Sequence, residues 1–201
     1  MTTEKRNYIS AALLAAVVLV PTTAKAQSTS MGVTAGVTLS NIKTDNDVDL
    51  KNIWGGLIGL TAVRSINPNF GIQVEALLNQ KGAGDLDVSG RKFRLAYVDV
   101  PILARFGKTT TNKTHFHAFT GPVASFRVKA TLKDDDSDIS VDLKDETKAM
   151  DFGWTLGVGA ERGPLSAGVR YTLGLSNIDD TSSTVDYKNR SWALTVGYRF
   201  R

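Results

Sequence analysis

The last ten residues before the terminal arginine, Ser191–Phe200, alternate without a break. Trp192, Leu194, Val196, Tyr198 and Phe200 fall on one side; Ser191, Ala193, Thr195, Gly197 and Arg199 fall on the other. A β-strand turns successive side chains to opposite faces, so this segment carries one apolar wall and one small or polar wall. Such a strand needs neighbours on both edges and a home for its apolar wall. The same alternation recurs along the chain, with no convincing helical period. It predicts strands at Met31–Ile42, Ile53–Arg64, Phe70–Lys81, Phe93–Gly107, His115–Lys129, Met150–Arg162, Leu165–Ser176 and Arg190–Phe200. Each is long enough for a tilted membrane strand of about 9–11 residues.

The connections sort by length. Lys43–Asn52, Gly82–Lys92, Ala130–Ala149 and Asn177–Asn189 are long and polar. Asn67-Pro68-Asn69 and Gly163-Pro164 are tight turns, and Lys108–Thr114 is intermediate. Long loops at one end and short turns at the other mark an outer-membrane barrel. The expected fold is therefore all-β, an eight-stranded antiparallel up-and-down transmembrane β-barrel.

The N-terminus agrees. Lys5 and Arg6 precede an apolar run, Ile9–Val20, interrupted only by Ser10, and Ala24-Lys25-Ala26 follows. This reads as a secretory signal peptide cleaved before Gln27. The competing reading, an uncleaved helical anchor, meets a run shorter than the roughly 20 residues a bilayer needs. The expected organisation is a signal over residues 1–26 and one barrel domain over 27–201.

Charge and cysteine exclude other classes. The formal net charge is +4, and the signal would remove Lys5, Arg6 and Lys25 against Glu4, leaving +2. With no basic run, a nucleic-acid partner is not expected. There is no Cys, which rules out disulfides, thiol chemistry and Cys-based zinc sites.

Which wall faces lipid follows from the polar wall. In Leu165–Ser176 it is Ser166, Gly168, Arg170, Thr172, Gly174 and Ser176, small residues suited to a crowded lumen. A soluble, lipocalin-like ligand-binding barrel would turn its polar face to water and carry more Lys and Glu there. In-strand charges on the polar side are Glu75, Asp99, Arg105, Arg127, Asp151, Glu161, Arg170 and Arg199. Their balanced signs predict an interior ion-pair network that closes the lumen. Trp54, Trp154 and Trp192 sit where strands leave long loops. Phe70, Phe106, Phe116 and Phe200 sit beside short turns or the C-terminus. Two interfacial aromatic belts are expected. The second strand is apolar or Gly on both faces and leaves its register open; Pro122 suggests a bulge.

The chain resembles the PorT-like outer-membrane β-barrel family, a group often labelled porin family proteins. The resemblance runs over roughly Met31–Phe200. It is carried by Gly32–Gly36, Gln73-Val74-Glu75 with Lys81-Gly82, and Tyr97-Val98-Asp99-Val100-Pro101-Ile102. Ala118-Phe119-Thr120-Gly121-Pro122, Gly157-Val158-Gly159 and Gly197-Tyr198-Arg199-Phe200 complete it. It implies an eight-stranded barrel inserted by the outer-membrane assembly machinery through its final strand.

Candidate chemistry is sparse. Asp134, Asp136 and Asp138, followed by Ser140, Asp142 and Asp145, have the spacing of a calcium loop. Ile139 stands where that loop needs Gly, and Asp145 replaces its bidentate Glu. The plainer reading is a hydrated acidic outer loop, bridged by divalent cations to lipopolysaccharide. His115 and His117 share a strand face and read as an interfacial pair rather than a metal site. Gly157, Gly159 and Gly163 do not form a nucleotide-binding loop. Asn112-Lys113-Thr114 and Asn189-Arg190-Ser191 match the glycosylation pattern by accident. No Ser/His/acid set stands out, so a lipid-modifying enzyme is the lesser reading. The expectation is a monomeric, non-enzymatic barrel without cofactor. Its partners are outer-membrane lipid and lipopolysaccharide, and its role is envelope-structural, adhesion-like or narrow-pore.

Overall fold

The structure is a computed structural model that describes residues 28–44, 52–84, 91–134, 137–142, 150–175 and 187–200. The strands are β1 (Thr29–Thr44), β2 (Ile53–Asn67), β3 (Phe70–Gly84), β4 (Arg91–Thr109) and β5 (Thr114–Asp134). There follow β6 (Ser137–Asp142), β7 (Met150–Arg162), β8 (Leu165–Gly174) and β9 (Tyr187–Arg199). The sheet runs β4-β3-β2-β1-β9-β8-β7-β5-β6, and β4 also pairs with β5. That last pairing closes the sheet on itself. Eight strands form an antiparallel barrel, and closure removes the edges that an open sheet would leave unpaired.

The short strand β6 lies outside this ring. It pairs back onto the end of β5, from Thr131↔Asp142 to Asp134↔Ser137. Of the residues expected as loop, 130–134 therefore continue β5 and 137–142 pair back onto it. The Val and Ile of Ser137–Asp142 alternate with polar residues, a strand signal hidden by the surrounding Asp residues.

The second strand has a single register. Leu57 lies opposite Asn79 and Gly36, and it points inward, buried, while Trp54, Ile58 and Leu60 point outward. Glycines at Gly55 and Gly59 occupy inward positions, which is why hydropathy alone could not tell the two faces apart. No bulge forms at Pro122: β5 passes Trp154 of β7 there in register. On the β4 side Pro101↔Val123 and Ala104↔Thr120 flank the proline without a shift. The irregularity lies instead between Ala96 and Tyr97, opposite Lys129 and Arg127, where Val128 is the extra residue.

The outer wall is apolar. Ile58, Leu60, Leu78, Ile102, Leu156, Val158, Leu194 and Val196 are all exposed by half or more. A water-soluble barrel has its apolar residues inside; here they form a continuous outer surface, which only lipid can cover. Among the described residues no helix is long and apolar enough to cross a membrane. The crossing is made by strands.

Candidate functional site in the barrel lumen

Inward positions come from the odd-numbered residues of β3, β4, β5 and β7, so charges far apart in sequence meet across the lumen. The central contact joins β3 to β8. Arg170 donates Nη1 to Glu75 Oε2 at 2.6 Å and Nη2 to Oε1 at 3.0 Å. Glu75 is 1% exposed and Arg170 6%. A guanidinium fork on both carboxylate oxygens is the geometry that best offsets the cost of burying two charges. The Arg170 guanidinium also lies 5.4 Å from the centre of the Phe119 ring.

From this pair a polar chain runs to the end with the short turns. Gln73 donates to Glu75 Oε1 at 2.8 Å, and Arg105 Nη1 reaches Gln73 Oε1 at 3.5 Å. Arg105 Nη2 pairs with Glu161 at 2.6 Å and contacts His117 Nδ1 at 3.0 Å. Glu161 takes Arg199 at 3.0 Å on its other oxygen, and Arg199 donates to the Gly163 carbonyl at 2.9 Å. A second cluster lies on the other side of the Glu75–Arg170 pair. Lys81 binds Asp99 at 3.0 Å and donates to Ser125 Oγ at 3.2 Å, and Asn79 donates to Asp99 at 2.8 Å. The Lys81 ammonium stands 5.0 Å from the Tyr97 ring centre.

Of the eight charges read from sequence, Glu75, Asp99, Arg105, Glu161, Arg170 and Arg199 enter these two clusters. Arg127 and Asp151 are also on the inward side, opposite Tyr97 and Ser125. Arg199 is a rim residue, its side chain 43% exposed. Lys81 was missed as an interior cation. Continuing the phase Gln73, Glu75, Leu77, Asn79 by one step would have found it.

The interior is also less polar than its small-residue sequence suggests. Leu57, Leu77, Tyr97, Leu103, Phe119 and Val123 are buried within it, beside the small residues of β1 and β8. On β4 and β5 these apolar residues share the inward phase with Asp99, Arg105 and Arg127, so charge rather than hydropathy marks the inner face. Inward glycines make room for rings from the next strand. A Cβ on Gly157 would collide with Phe119, and one on Gly159 would stand 2.7 Å from His117 Nε2. The histidines, expected at an interface, face the lumen, with ring centres 5.9 Å apart. His115 Nδ1 contacts Thr109 Oγ1 at 3.1 Å. Among the described residues no three His, Asp or Glu side chains converge as a metal site. Of the calcium-loop candidates, Asp136 lies outside the described residues, and only the backbone of Asp134 and Asp138 is described.

Space inside is small. Beside the Glu75–Arg170 pair a hollow of about 10 Å³ remains between Leu77, Asp99 and Thr172, room for about one water at most. Toward the short-turn end the lumen widens through 60 Å³ to a mouth of 490 Å³ bordered by Asn67, Lys113, His115 and Arg199. On the outer wall Trp54, Trp154 and Trp192 are exposed, as are Phe106, Phe116 and Phe200, with Phe70 half-buried. Phe70 and Phe106 pair at 5.0 Å, and Trp192 packs on Tyr171 at 4.8 Å.

A closed eight-stranded barrel with an apolar outer wall and a charged core matches a known sequence family. The profile of the outer membrane protein beta-barrel domain covers residues 25–180. The chain belongs to that family. It is an integral β-barrel of the bacterial outer membrane. Neisserial surface protein A, a solved structure, shares 15% identity with a TM-score of 0.51, over 86% of this chain and 99% of that one. The attachment invasion locus protein Ail of Yersinia pestis, in complex with the heparin analogue sucrose octasulfate, shares 18% with a TM-score of 0.49, over 86% and 99%. The N-terminal barrel domain of Pseudomonas aeruginosa OprF shares 9% with a TM-score of 0.40, over 83% and 97%. At these identities the likeness, carried by the first of the three, is one of fold. No curated protein matches the chain.

Proposed function

We propose that this barrel is a passive envelope protein whose lumen is plugged and whose work is done by its wall and its outer loops. The observation that carries this is the buried Glu75–Arg170 pair, seated between Phe119 on one side and the Leu77–Asp99 layer on the other. With only about 10 Å³ left beside it, a hydrated solute has no passage at that level. This favours an envelope-structural or adhesion-like role over a narrow pore. In this reading residues 1–26 are removed as a signal, and the assembly machinery inserts the barrel through β9. The mature protein is a monomer of the PorT-like branch. The tryptophans and phenylalanines of the outer wall anchor it at the two interfaces.

A lipid-modifying activity fits less well. Glu75 and His117, the acid and base it would need, face the lumen and are engaged by Arg170 and Arg105. Neither is presented to a substrate in the bilayer.

Planar-bilayer recording tests the plug. The purified protein is expected to give no stepwise conductance. Steady single-channel openings in the wild type would replace the structural reading with the pore. Deleting residues 135–149 is expected to leave heat-modifiable gel migration intact while reducing adhesion of cells expressing the protein. Unchanged adhesion would leave the envelope-structural role alone.

A further inference from the structure

The outer wall is not uniform. Across five neighbouring strands one row of outward residues reads Phe116, Ala160, Ala167, Val196 and Ala35. The row above it reads Ala118, Val158, Val169, Leu194 and Val37. The row below reads Thr114, Arg162, Leu165, Tyr198 and Val33. Bulkier neighbours above and below leave the alanine row as a groove. Two hollows, of 1110 and 630 Å³, meet along it and share Ala35, Ala160, Ala167 and Val196. At a strand spacing near 4.8 Å the row is about 19 Å long, and Phe106 and Phe116 wall one end.

The rim beneath the groove is cationic. Arg162 borders the groove and is exposed, in register with Thr114. Lys108 is exposed and sits opposite Phe116, and Lys113 is exposed in the turn between them. Glu161, the carboxylate described at this end, is turned into the lumen and held by Arg105 and Arg199. Neither Lys108 nor Arg162 forms an ion pair with a described residue. Among the described residues the outward charge here is positive and uncompensated. This is the end with the short turns and the C-terminus, which in such barrels faces the periplasm.

We infer that the groove is a binding site for an anionic glycerophospholipid of the periplasmic leaflet, one acyl chain lying along Ala160 and Ala167 and the phosphate meeting Arg162 and Lys108. The inference rests on the membrane location and goes beyond it, since general solvation by lipid needs neither a groove nor a charge. Charge complementarity selects this occupant. A second copy of the barrel, docked by a two-fold axis through the groove, would bring the same cationic rim against itself.

The test is native mass spectrometry of the full barrel released from detergent with phosphatidylglycerol or phosphatidylcholine of matched acyl chains. The wild type is expected to retain one phosphatidylglycerol at a concentration roughly tenfold or more below that needed for phosphatidylcholine, since cations at a membrane surface each add severalfold to anionic-lipid binding. Lys108→Gln with Arg162→Gln is expected to bring the two lipids to parity. Ala160→Leu with Ala167→Leu is expected to weaken retention of both and keep their ratio. Equal retention by the wild type overturns the site, and so does a preference that survives loss of both charges. A lipid-free dimer also overturns it. Heat-modifiable migration separates the levels. A barrel that shows it without a lipid preference loses the site and keeps the membrane location; a membrane extract that lacks it loses both.

Discussion

The Glu75–Arg170 contact shows how much can depend on one buried pair. Each partner is almost fully removed from solvent, and each is the other's neutralising charge. Glu75→Ala would leave a buried guanidinium beside Phe119 with no carboxylate, at a cost of about 3–5 kcal/mol. The expected outcome is a large fall in the urea midpoint for unfolding from vesicles. Glu161→Gln should fall less, because the amide oxygen can still accept from the buried Arg105 and its other partner, Arg199, is a rim residue already in contact with water. A Glu75→Ala barrel as stable as the wild type would show that the pair is incidental to the plug. At this scale the sequence was half legible. It placed Glu75 and Arg170 on inward faces. It could not say that residues 95 positions apart, on strands that do not touch in the sheet, are partners.

Among the elements, β7 and β9 carry opposite demands on their two faces. The inward face of β7 is Asp151, Gly153, Thr155, Gly157 and Gly159, which leaves room for Val123, Phe119 and His117 of β5. Gly157→Val would drive a branched side chain into the Phe119 ring, an overpacking worth about 1–3 kcal/mol. Paired with Phe119→Ala, the same change should be tolerated much better, a coupling that a double-mutant cycle on unfolding midpoints reads directly. The outward face of β9 meets lipid. Leu194, near the middle of that strand, is 58% exposed. Leu194→Arg should destabilise by about 2–4 kcal/mol in a bilayer. Similar costs in detergent-free buffer and in vesicles would argue against lipid on this face. The glycines of β2 are where hydropathy failed as a guide. A residue without a side chain reports neither an inside nor an outside, and only the pairing with the next strand reveals the choice.

For the whole molecule, closure is what turns these strands into a sealed object. The β4–β5 pairing completes the ring, and the interior clusters fill it. Opening the plug should therefore need several changes at once. Glu75→Ser, Phe119→Ala and Arg170→Ser together remove its charges and its ring, and are expected to produce measurable conductance in planar bilayers while the barrel still migrates as a folded species. Silence in a folded triple variant would place the obstruction at the Lys81–Asp99 layer instead. The alternation of Ser191–Phe200 and its relatives determined by itself that the chain makes amphipathic strands, that short turns gather at one end, and that its apolar side must be covered. These follow from the two-residue period of a strand, a local property. Tertiary structure alone decided which charges neutralise one another and that β5 runs on into a hairpin with β6. Those outcomes depend on register and on distances across the lumen, and no stretch of sequence contains the strand on the far side.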